Sequence, residues 1–307
     1  MTKLVLFDGN AIMHRAFHAL PPLTTKTGEP INAVYGLISM LLRVIQELHP
    51  THIVFAFDRP EPTFRKQLFE EYQSQRPEMD DELGSQFEKA YRVIEAFDIP
   101  LYSKAGFEAD DVIGTIAKQS IRVKEHESKS ADEVVIVTGD RDILQLVDNK
   151  IKLCMPGKGL SSAFIFGEKE TIEKMGVKPE KIVDLKGLIG DPSDNYKGIP
   201  GIGPKTAQKL LNQYDNFEGI YKHLDEVPES TRKKLVEGRQ SGEMSYDLAR
   251  IRCDVEGLDF DLEKAGKWQV NSQKVKDLFE EYGFRTLSKR ILDVGKQLQE
   301  EKQGTLL

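Results

Sequence analysis

Nine acidic residues form short clusters along this chain, and several of them follow apolar runs that have the length of buried strands. Asp8 closes the run Leu-Val-Leu-Phe, Asp58 closes Ile-Val-Phe-Ala-Phe, and Asp140 comes shortly after Val-Val-Ile-Val. The complete set is Asp8, Asp58, Glu108, Asp110, Asp111, Asp140, Asp142, Asp191 and Asp194. Because the carboxyl ends of parallel strands meet at one edge of a sheet, we expect these acids to converge there.

Converging carboxylates repel each other and raise each other's pKa unless cations neutralise them. Oxygen ligands without clustered histidines suit hard ions such as Mg²⁺ or Mn²⁺ rather than zinc. Two such ions about 4 Å apart can activate a water and stabilise the leaving oxygen of a phosphodiester. The predicted cofactors are therefore two Mg²⁺ or Mn²⁺ ions, and the predicted reaction is phosphodiester hydrolysis.

Helix capping is the competing interpretation of the acids, since acidic side chains favour the first turn of a helix. Asp142 could cap a helix that begins at Ile143, and Asp194 could form an Asx turn. Capping suffices for any one acid, but it does not explain why like charges would converge on one sheet edge. The set as a whole therefore favours a metal centre.

The strands that carry the acids are predicted at residues 3–7, 52–57 and 134–138, where the apolar residues are nearly continuous. Such runs are typical of parallel strands that are covered on both faces. Helical patterns at residues 33–48 and 108–122 lie between these strands. The order of strand, helix and strand predicts an α/β fold with a mostly parallel sheet flanked by helices.

The length of 307 residues suits two domains of ordinary size. We expect an α/β catalytic domain at residues 1–178 and a smaller helical domain at residues 179–296. Residues 123–133 are predicted to be a solvated loop, and residues 297–307 a flexible tail. The helical patterns of the second domain lie at residues 180–189, 204–213, 229–238 and 273–282.

The composition excludes fewer classes of protein than it first suggests. A formal charge of −7 ordinarily argues against a nucleic-acid partner, but divalent ions would offset the acid clusters and leave 43 Lys and Arg for other surfaces. Cys154 and Cys253 lack the spacing of a zinc site or a disulfide framework, and both are predicted to be buried. With no signal pattern and no long apolar stretch, we expect a soluble cytoplasmic protein with no membrane partner.

A glycine-rich run, Ile-Pro-Gly-Ile-Gly-Pro-Lys-Thr, occupies residues 199–206 between two helical patterns. Glycine permits close backbone approach and proline suits the first helical position, so the run indicates a helix-hairpin-helix motif at about 185–214. Backbone amides at the start of the second helix would bind phosphate without sequence preference. An ordinary tight turn is the alternative. The residues expected to bind DNA are Lys197, Gly201, Gly203, Lys205, Thr206 and Lys209.

Residues 62–92, here called the arch, are charged and glutamine-rich and are predicted to form exposed helices with a break. On a continuous helix Arg65, Tyr72 and Arg76 would share one face, because they are seven and four residues apart. A cationic stripe with an aromatic ring suits a single nucleic-acid strand, while a solvated surface helix is the alternative. Because such helices bury little apolar surface, we expect mobility near residues 73–84.

With these motifs assembled, the chain resembles the 5′ nuclease domain of bacterial DNA polymerase I, within the 5′-3′ exonuclease and flap endonuclease family. The resemblance covers nearly the whole chain and implies a PIN-like sheet, a helical arch and a C-terminal helix-hairpin-helix domain. The residues that carry it are Leu-Phe-Asp-Gly-Asn at 6–10, Arg15, Phe-Asp at 57–58, Thr-Phe-Arg at 63–65, Tyr72, Arg76 with Pro77, Glu-Ala-Asp-Asp at 108–111, Thr-Gly-Asp-Arg-Asp at 138–142, Gly-Asp-Pro-Ser-Asp-Asn at 190–195 and the hairpin.

The resemblance implies a metal-dependent nuclease that removes DNA flaps or RNA primers at 5′ ends during replication and repair. One metal site would use Asp8, Asp58, Glu108, Asp110 and Asp111, and the other Asp140, Asp142, Asp191 and Asp194. The hairpin would grip the duplex, with a monovalent cation as a further candidate ligand of its loop. A DNA polymerase is a candidate partner of an expected monomer, which is either a stand-alone nuclease or an excised domain. The residues implied to steer the 5′ end and the scissile phosphate are Arg15, Arg65, Tyr72 and Arg76.

Two positions depart from the family pattern. Gln73 stands where a lysine usually approaches the scissile phosphate, and Lys66, seven residues earlier on the same predicted helical face, is the candidate substitute. Tyr196 and Lys197 stand where an aliphatic residue and a proline are usual, and Lys197 would add a phosphate contact. The alternative functions are a catalytically weak module that binds branched DNA, and a PIN-like nuclease that acts on RNA, which the hairpin disfavours.

Overall fold

The computed structural model describes residues 1–121, 130–157 and 163–304, so most of the predicted loop at 123–133 lies outside the described residues. The strands are β1 Lys3–Asp8, β2 His52–Ala56, β3 Leu101–Tyr102, β4 Glu133–Val137, β5 Ile151–Pro156, β6 Ala163–Phe166, β7 Gly190–Asp191 and β8 Tyr196–Lys197. The α-helices are α1 Gly9–Ala19, α2 Asn32–Leu48, α3 Phe64–Leu68, α4 Asp81–Gly84, α5 Phe87–Ala96, α6 Ala109–Ile121, α7 Glu168–Met175, α8 Ile182–Ile189, α9 Pro204–Tyr214, α10 Phe217–Lys222, α11 Glu229–Glu237, α12 Arg239–Ala249, α13 Leu262–Ala265, α14 Gln273–Tyr282 and α15 Arg285–Gly304.

Six strands form one sheet in the order β3-β2-β1-β4-β5-β6, in which β6 at the edge runs antiparallel to β5. The strand β1 lies between β2 and β4 and pairs with both in parallel, so that Phe7 stands opposite Phe55 on one side and Val137 on the other. Leu6 belongs to one apolar cluster and Phe7 to a second, because helices cover both faces of the sheet. The predicted mostly parallel α/β sheet is confirmed.

The helical patterns of the sequence are confirmed as well. Those at residues 33–48 and 108–122 correspond to α2 and α6, which cover the sheet. The four patterns expected beyond residue 178 correspond to α8, α9, α11 and α14. The sequence analysis did not identify the strands β3, β5 and β6 or the helices α12 and α15.

The C-terminal helices do not form a core of their own. Leu188, Leu211 and Leu235 share the first apolar cluster with Leu6 of the sheet. On the other face, α14 packs against α5 and α15 packs against α2, with Ile291 in the second cluster. Helices of the expected domain at residues 179–296 therefore share apolar clusters with the sheet of the expected domain at residues 1–178.

The arch is not the continuous helix that would carry a cationic stripe. The helix α3 ends at Leu68, turns occupy residues 70–75, and Gln73 has a positive φ of 56°, which is incompatible with a continuing right-handed helix. Lys66 and Gln73 therefore do not share a helical face. The predicted break between helices is present, and the shared face that a continuous helix would give Arg65, Tyr72 and Arg76 is not formed.

The flexible tail predicted at residues 297–307 begins within a helix in the part of the chain that the structure describes. The helix α15 continues through residue 304, and Leu298 packs against the second apolar cluster, which gives this turn a reason to stay helical. Residues 305–307 lie outside the described part of the chain.

The two cysteines differ in their exposure to solvent. Cys154 is buried, whereas Cys253 is partly exposed, so the expectation of burial is right for the first only.

In the described ranges, no helix combines the length and the apolar composition that crossing a lipid bilayer requires.

Candidate metal centre

The carboxyl ends of three neighbouring strands deliver acids to one cleft of about 980 Å³. Asp8 ends β1, Asp58 lies two residues beyond β2, and Asp140 lies three residues beyond β4. The structure thus brings most of the predicted acids together at one sheet edge. The seven that line the cleft are Asp8, Asp58, Glu108, Asp110, Asp140, Asp142 and Asp194.

Asp8 is held both as a helix cap and as a member of the acid cluster. Its Oδ1 accepts from the Ala11 amide at 2.9 Å, and its Oδ2 accepts from Thr138 Oγ1 at 2.6 Å. The same hydroxyl oxygen accepts from the Asp140 amide at 3.0 Å, so one threonine links the ends of β1 and β4. Desolvation, together with the charges of Asp58 and Asp140, raises the pKa of Asp8 to about 7. Capping and clustering therefore coexist at this residue.

Asp58 is oriented by the helices on either side of it. Its Oδ1 accepts from the Ala109 amide at 2.7 Å, where α6 begins, and its own amide donates to Asn10 Oδ1 at 2.9 Å. Although its side chain opens to the cleft, desolvation by the cleft walls raises the pKa of Asp58. Desolvation and the charge of Asp140 hold the pKa of Asp110 well above its ordinary value. These carboxylates lack sufficient compensating charge from the protein.

Asp111 lies away from the cleft and pairs with Arg65. The Arg65 Nη1 and Nη2 atoms donate to its two oxygens at 2.7 and 2.9 Å, and the Arg252 amide donates to Oδ1 at 2.8 Å. Asp111 is fully buried and does not line the cleft. A carboxylate that is already satisfied in this way is a structural group, so the placement does not support its predicted role as a metal ligand.

Arg65 belongs to the same buried connection. Its Nε donates to the Leu248 carbonyl at 2.8 Å, and its Nη1 lies 3.2 Å from Glu108 Oε2. Arg65 is 2% exposed, so it ties α3 to α6 and to the end of α12 rather than reaching toward a 5′ end. Desolvation outweighs this neighbouring cation and raises the pKa of Glu108 to about 7.

The acids on the hairpin side of the cleft are bridged by Lys186. Its Nζ donates to Asp142 Oδ1 and to Asp191 Oδ2. Burial lowers the pKa of this ammonium, but the two carboxylates outweigh burial and raise it. Asp191 also accepts from the Ser193 amide at 2.8 Å and does not line the cleft. Lys186 stands in α8, inside the span predicted for the helix-hairpin-helix motif but before its glycine run, and no residue pattern singles it out.

Turns after α3 bring Tyr72 and Arg76 onto the acids although no continuous helix joins them. The Tyr72 hydroxyl lies 3.2 Å from Asp194 Oδ2 and 3.3 Å from Glu108 Oε2, and Arg76 Nη2 donates to Asp194 Oδ1. Lys66 lines the cleft and donates to the Tyr72 carbonyl at 3.1 Å. Three arch residues named from the sequence, Lys66, Tyr72 and Arg76, therefore line the cleft beside the acids, and their predicted contact with a 5′ end stays a prediction.

Arg15 is the predicted cation that does not line the cleft. Its Nη2 donates to the carbonyl of Gly157, just beyond β5, so this placement does not support a contact with the 5′ end. Conversely, Thr138 and Asn10 orient acids and were not singled out from the sequence. Both stand inside the quoted motifs, and the signal that could have found them is their spacing of two residues from Asp140 and Asp8.

The described acids do not enclose an ion as they stand. Within residues 1–121, 130–157 and 163–304, no group of three or more acidic, histidine or cysteine side chains is arranged to hold one. The side chains of Lys186, Arg76 and Arg65 already contact several of the carboxylates. The donor chemistry still fits a hard divalent cation, because an ion would relieve the desolvation and repulsion that raise these pKa values.

The predicted hairpin joins α8 to α9 through the β7–β8 ribbon. A Cβ at Gly198 would lie 2.4 Å from the Gly190 nitrogen, and Gly201 has a φ of +78°, so glycine is required for close approach at the first and for conformation at the second. Gly203 precedes Pro204 as the N-cap of α9, and a Cβ there would meet nothing within 4 Å. The start of α9 is therefore open to a ligand.

The hairpin also presents the lysines that the sequence predicted for it. Lys197 is exposed on β8, which is anchored because its carbonyl accepts from Ser241 Oγ at 2.6 Å. Lys205 and Lys209 are exposed on α9 and line a shallow cavity of about 490 Å³. Thr206 is half-buried in the first turn of α9. This arrangement suits phosphate contacts.

The chain matches two consecutive protein-family descriptions. Residues 3–176 match "5'-3' exonuclease, N-terminal resolvase-like domain", and residues 177–274 match "5'-3' exonuclease, C-terminal SAM fold". DNA polymerase I of Pseudomonas aeruginosa is 41% identical over 310 residues, which cover 98% of this chain. DNA polymerase I of Bacillus subtilis is 38% identical over 296 residues, which cover 94%. The chain spans 32% of the length of each of these polymerases.

Solved structures agree on the fold. A bacteriophage T5 flap endonuclease, in a pseudo-enzyme-product complex with DNA and metal ions, superposes with a TM-score of 0.67 at 18% identity and covers 96% of this chain and 99% of that one. The catalytic core of Rad2 in complex with DNA substrate gives a TM-score of 0.61 at 15% identity, covering 95% and 92%. The resolvase-like sheet and the helical C-terminal part confirm the fold class predicted from the sequence.

Proposed function

The chain belongs to the 5′-3′ exonuclease family, and we propose that it hydrolyses phosphodiesters at 5′ ends and flaps of DNA, including RNA primers, in replication and repair. The observation that carries the proposal is the cleft in which seven acids meet at the carboxyl edge of the sheet. The desolvated carboxylates call for hard cations, and we propose two Mg²⁺ or Mn²⁺ ions.

The residues that would hold these ions are the seven predicted acids that line the cleft, together with Asp191, which shares Lys186 with Asp142. Asp8, Asp58, Glu108 and Asp110 would serve one site, and Asp140, Asp142, Asp191 and Asp194 the other. When bound, divalent ions lower the pKa of a water and stabilise the charge that develops on a leaving oxygen. The hydroxyl of Thr138 donates to Asp8 and so favours its ionised, ligating form.

The cations around the cleft would bind and orient the substrate. Arg76 and Lys66 line the cleft beside the acids, where they can contact a phosphate that approaches them. Lys197, Lys205 and Lys209, with the amides at the start of α9, would hold the duplex backbone at a distance from the chemistry. A monovalent cation at the hairpin loop is proposed as an additional ligand.

The proposed setting is the cytoplasm, as a nucleoid-associated monomer that acts with a DNA polymerase. Support for the polymerase comes from the relatives named DNA polymerase I, whose matched parts correspond to 32% of their length. Polymerase activity is not proposed for this chain, because the match covers only 32% of the length of those polymerases.

A cleavage assay tests the proposed function. A 5′-labelled flap duplex and a matched RNA are incubated with Mg²⁺ and with the wild type, Asp140→Asn or Asp277→Asn. Asp140 lines the cleft, whereas Asp277 is an exposed acid on α14 and serves as the matched control. We expect the first substitution to slow flap cleavage by about 10³-fold, since loss of metal stabilisation costs several kcal/mol. The control should retain wild-type rates.

Two outcomes would favour the alternatives. Tight flap binding without cleavage by the wild type would favour a branched-DNA binding module. Cleavage confined to the RNA would favour an RNA nuclease with a PIN-like fold.

A further inference from the structure

Residues 69–77, here called the arch turn, dock against the hairpin side of the cleft through an apolar contact. Tyr72 is 4% exposed and packs in a cluster with Tyr196, Leu248 and Ala249. The rings of Tyr72 and Tyr196 are stacked, with their centroids 6.4 Å apart and an interplanar angle of 22°. The arch turn is therefore held on a specific surface.

Backbone and amide hydrogen bonds fix the same position. The Gln73 amide donates to the Asp194 carbonyl at 3.0 Å. Asn195 Nδ2 donates to the Glu71 carbonyl and to Ser74 Oγ, each at 2.9 Å. These bonds all come from two consecutive residues of the hairpin loop, so docking joins the arch turn to the segment that carries a predicted metal ligand.

The ring of Tyr196 is what this residue contributes to docking. Its side chain is 2% exposed, and its hydroxyl has no hydrogen-bond partner among the residues that the structure describes. Burying an unpaired hydroxyl is unfavourable, so a smaller apolar side chain would serve the local core as well. The aromatic ring instead supplies the face on which Tyr72 stacks.

The docked arch turn contacts the carboxylate oxygens that an ion would need. Arg76 donates to Asp194 Oδ1, and the Tyr72 hydroxyl lies within hydrogen-bond distance of Asp194 Oδ2 and Glu108 Oε2. Both oxygens of Asp194 are thus engaged, and its side chain is buried. The Arg76 guanidinium on Asp194 would repel a divalent cation that approaches the same carboxylate, so the docked arch turn and the ion oppose each other there.

This inference rests on the proposed function. We propose that the docked arch turn competes with the divalent ion on the hairpin side for Asp194 and Glu108, and that Tyr196 is the positioning residue that sets the strength of this competition. A ligand that binds only the undocked state has a lower apparent affinity, because only the undocked fraction of the molecules can bind it. DNA that draws the arch turn away from the acids would therefore tighten binding of that ion.

Hydrogen exchange of the wild type during a Mn²⁺ titration tests the competition without any substitution. Calorimetry on the same samples counts the ions and gives their affinities. As the weaker site fills, we expect faster exchange in peptides that cover residues 69–77, with unchanged exchange in β1 and β4. Unchanged or slower exchange in the arch turn would overturn the inference.

Two variants test the role of Tyr196 and of docking. Tyr196→Leu removes the stacked ring and leaves every acid in place. We expect the dissociation constant of the weaker Mn²⁺ site to fall about fivefold. Asn195→Gly removes the two amide hydrogen bonds and tolerates the positive φ of 59°, and it should act in the same direction. The matched control is Tyr282→Leu, another buried tyrosine whose hydroxyl lacks a partner among the described residues, which should leave Mn²⁺ affinity unchanged.

The outcomes separate this inference from the proposed function. Wild-type Mn²⁺ affinities in both Tyr196→Leu and Asn195→Gly would refute the competition and leave the nuclease proposal intact. If Tyr196→Leu fails to fold, Asn195→Gly and the exchange measurement still decide. If the wild type binds no Mn²⁺, or if Asp140→Asn binds Mn²⁺ as tightly as the wild type does, the proposed function and this inference are both overturned.

Discussion

At the scale of single residues, the acids around the cleft divide into those that need a cation and those that already have one. Asp8, Asp110 and Glu108 have pKa values raised by desolvation, which marks carboxylates with insufficient compensation. Asp111 is different, because Arg65 and the Arg252 amide satisfy it completely inside the protein. Residues of one chemical type within a single motif therefore have different roles.

The difference between Asp110 and Asp111 can be measured. We expect Asp111→Asn to lower the free energy of unfolding by about 3 kcal/mol, because it removes the charge that makes two hydrogen bonds with the buried Arg65 guanidinium. Asp110→Asn is the adjacent control and should weaken Mn²⁺ binding while preserving stability in a chelator. Urea unfolding and Mn²⁺ calorimetry provide the two readouts. A stable Asp111→Asn protein that has lost Mn²⁺ binding would contradict the structural role.

Lys186 leads to a second prediction at this scale. Lys186→Met should lower the free energy of unfolding by about 3 kcal/mol in a chelator, because Asp142 and Asp191 lose the cation between them. Saturating Mg²⁺ should restore much of this loss, since an ion that binds only the folded state stabilises it. Thermal melts with and without Mg²⁺ measure both effects.

The control for Lys186 is a lysine in a more exposed ion pair. Lys152 pairs with Glu133 at 2.6 Å, and its side chain is 40% exposed. We expect Lys152→Met to change the free energy of unfolding by about 0.5 kcal/mol, with no added response to Mg²⁺. Equal effects of the two substitutions would argue against a special role for Lys186.

At the scale of elements, the hairpin and the arch show how short segments position the groups that contact a substrate. The ribbon of β7 and β8 requires the close approach of Gly190 and Gly198, and it connects the acids at its start to the open N-terminus of α9. The arch reaches the same acids through turns rather than through a helix. Both elements depend on backbone conformations that a regular helix cannot supply.

Salt dependence of DNA binding tests the hairpin. The double substitution Lys205→Ala and Lys209→Ala should weaken binding to flap DNA uniformly across sequences. It should also reduce the slope of log K against log salt by about 2, one for each phosphate contact removed. Lys197→Ala should flatten the slope by about 1 more. Fluorescence anisotropy at several salt concentrations measures the slopes.

Lys169→Ala is the control for the hairpin lysines. Lys169 is a strongly exposed lysine on α7, with 83% of its side chain accessible. Its substitution should leave the slope unchanged. An identical loss of slope for Lys169→Ala would mean that the hairpin has no particular part in binding.

At the scale of the whole molecule, helices distant in sequence complete the packing of the sheet. The helices α14 and α15 cover α5 and α2, and their apolar residues merge with those of the sheet in one cluster. Leu188 and Leu235 do the same on the opposite face. We therefore expect the molecule to unfold in a single cooperative transition.

A pair of neighbouring residues on α15 tests this expectation. Ile291 is fully buried and Leu292 is 45% exposed, so the same substitution to alanine samples the shared core and the surface. Ile291→Ala should lower the free energy of unfolding by about 3 kcal/mol and shift one transition seen by both circular dichroism and Trp268 fluorescence. Leu292→Ala should stay within about 0.5 kcal/mol of the wild type. Two separated transitions would show that the C-terminal helices unfold on their own.

The sequence by itself was enough to predict the three central parallel strands β1, β2 and β4, the acids at their ends and the glycine hairpin. Those features depend on neighbours along the chain: continuous apolar residues, a carboxylate at the end of a run, and glycine beside proline. The family resemblance implied that Tyr72 and Arg76 steer the 5′ end, and the structure places both beside the acids through turns that follow the end of α3 at Leu68.

Only the tertiary structure decided which carboxylates find a partner. Asp111 is paired with Arg65 from 46 positions away, and Asp142 with Lys186 from 44 positions away, while Tyr196 stacks on Tyr72. The pattern of neighbouring residues cannot show which of these pairs form. The energy of a buried charge depends on which distant groups replace the water that it loses. Distant residues also explain why α15 continues through Leu298. This side chain packs on the second apolar cluster, whose members come from far away in the sequence.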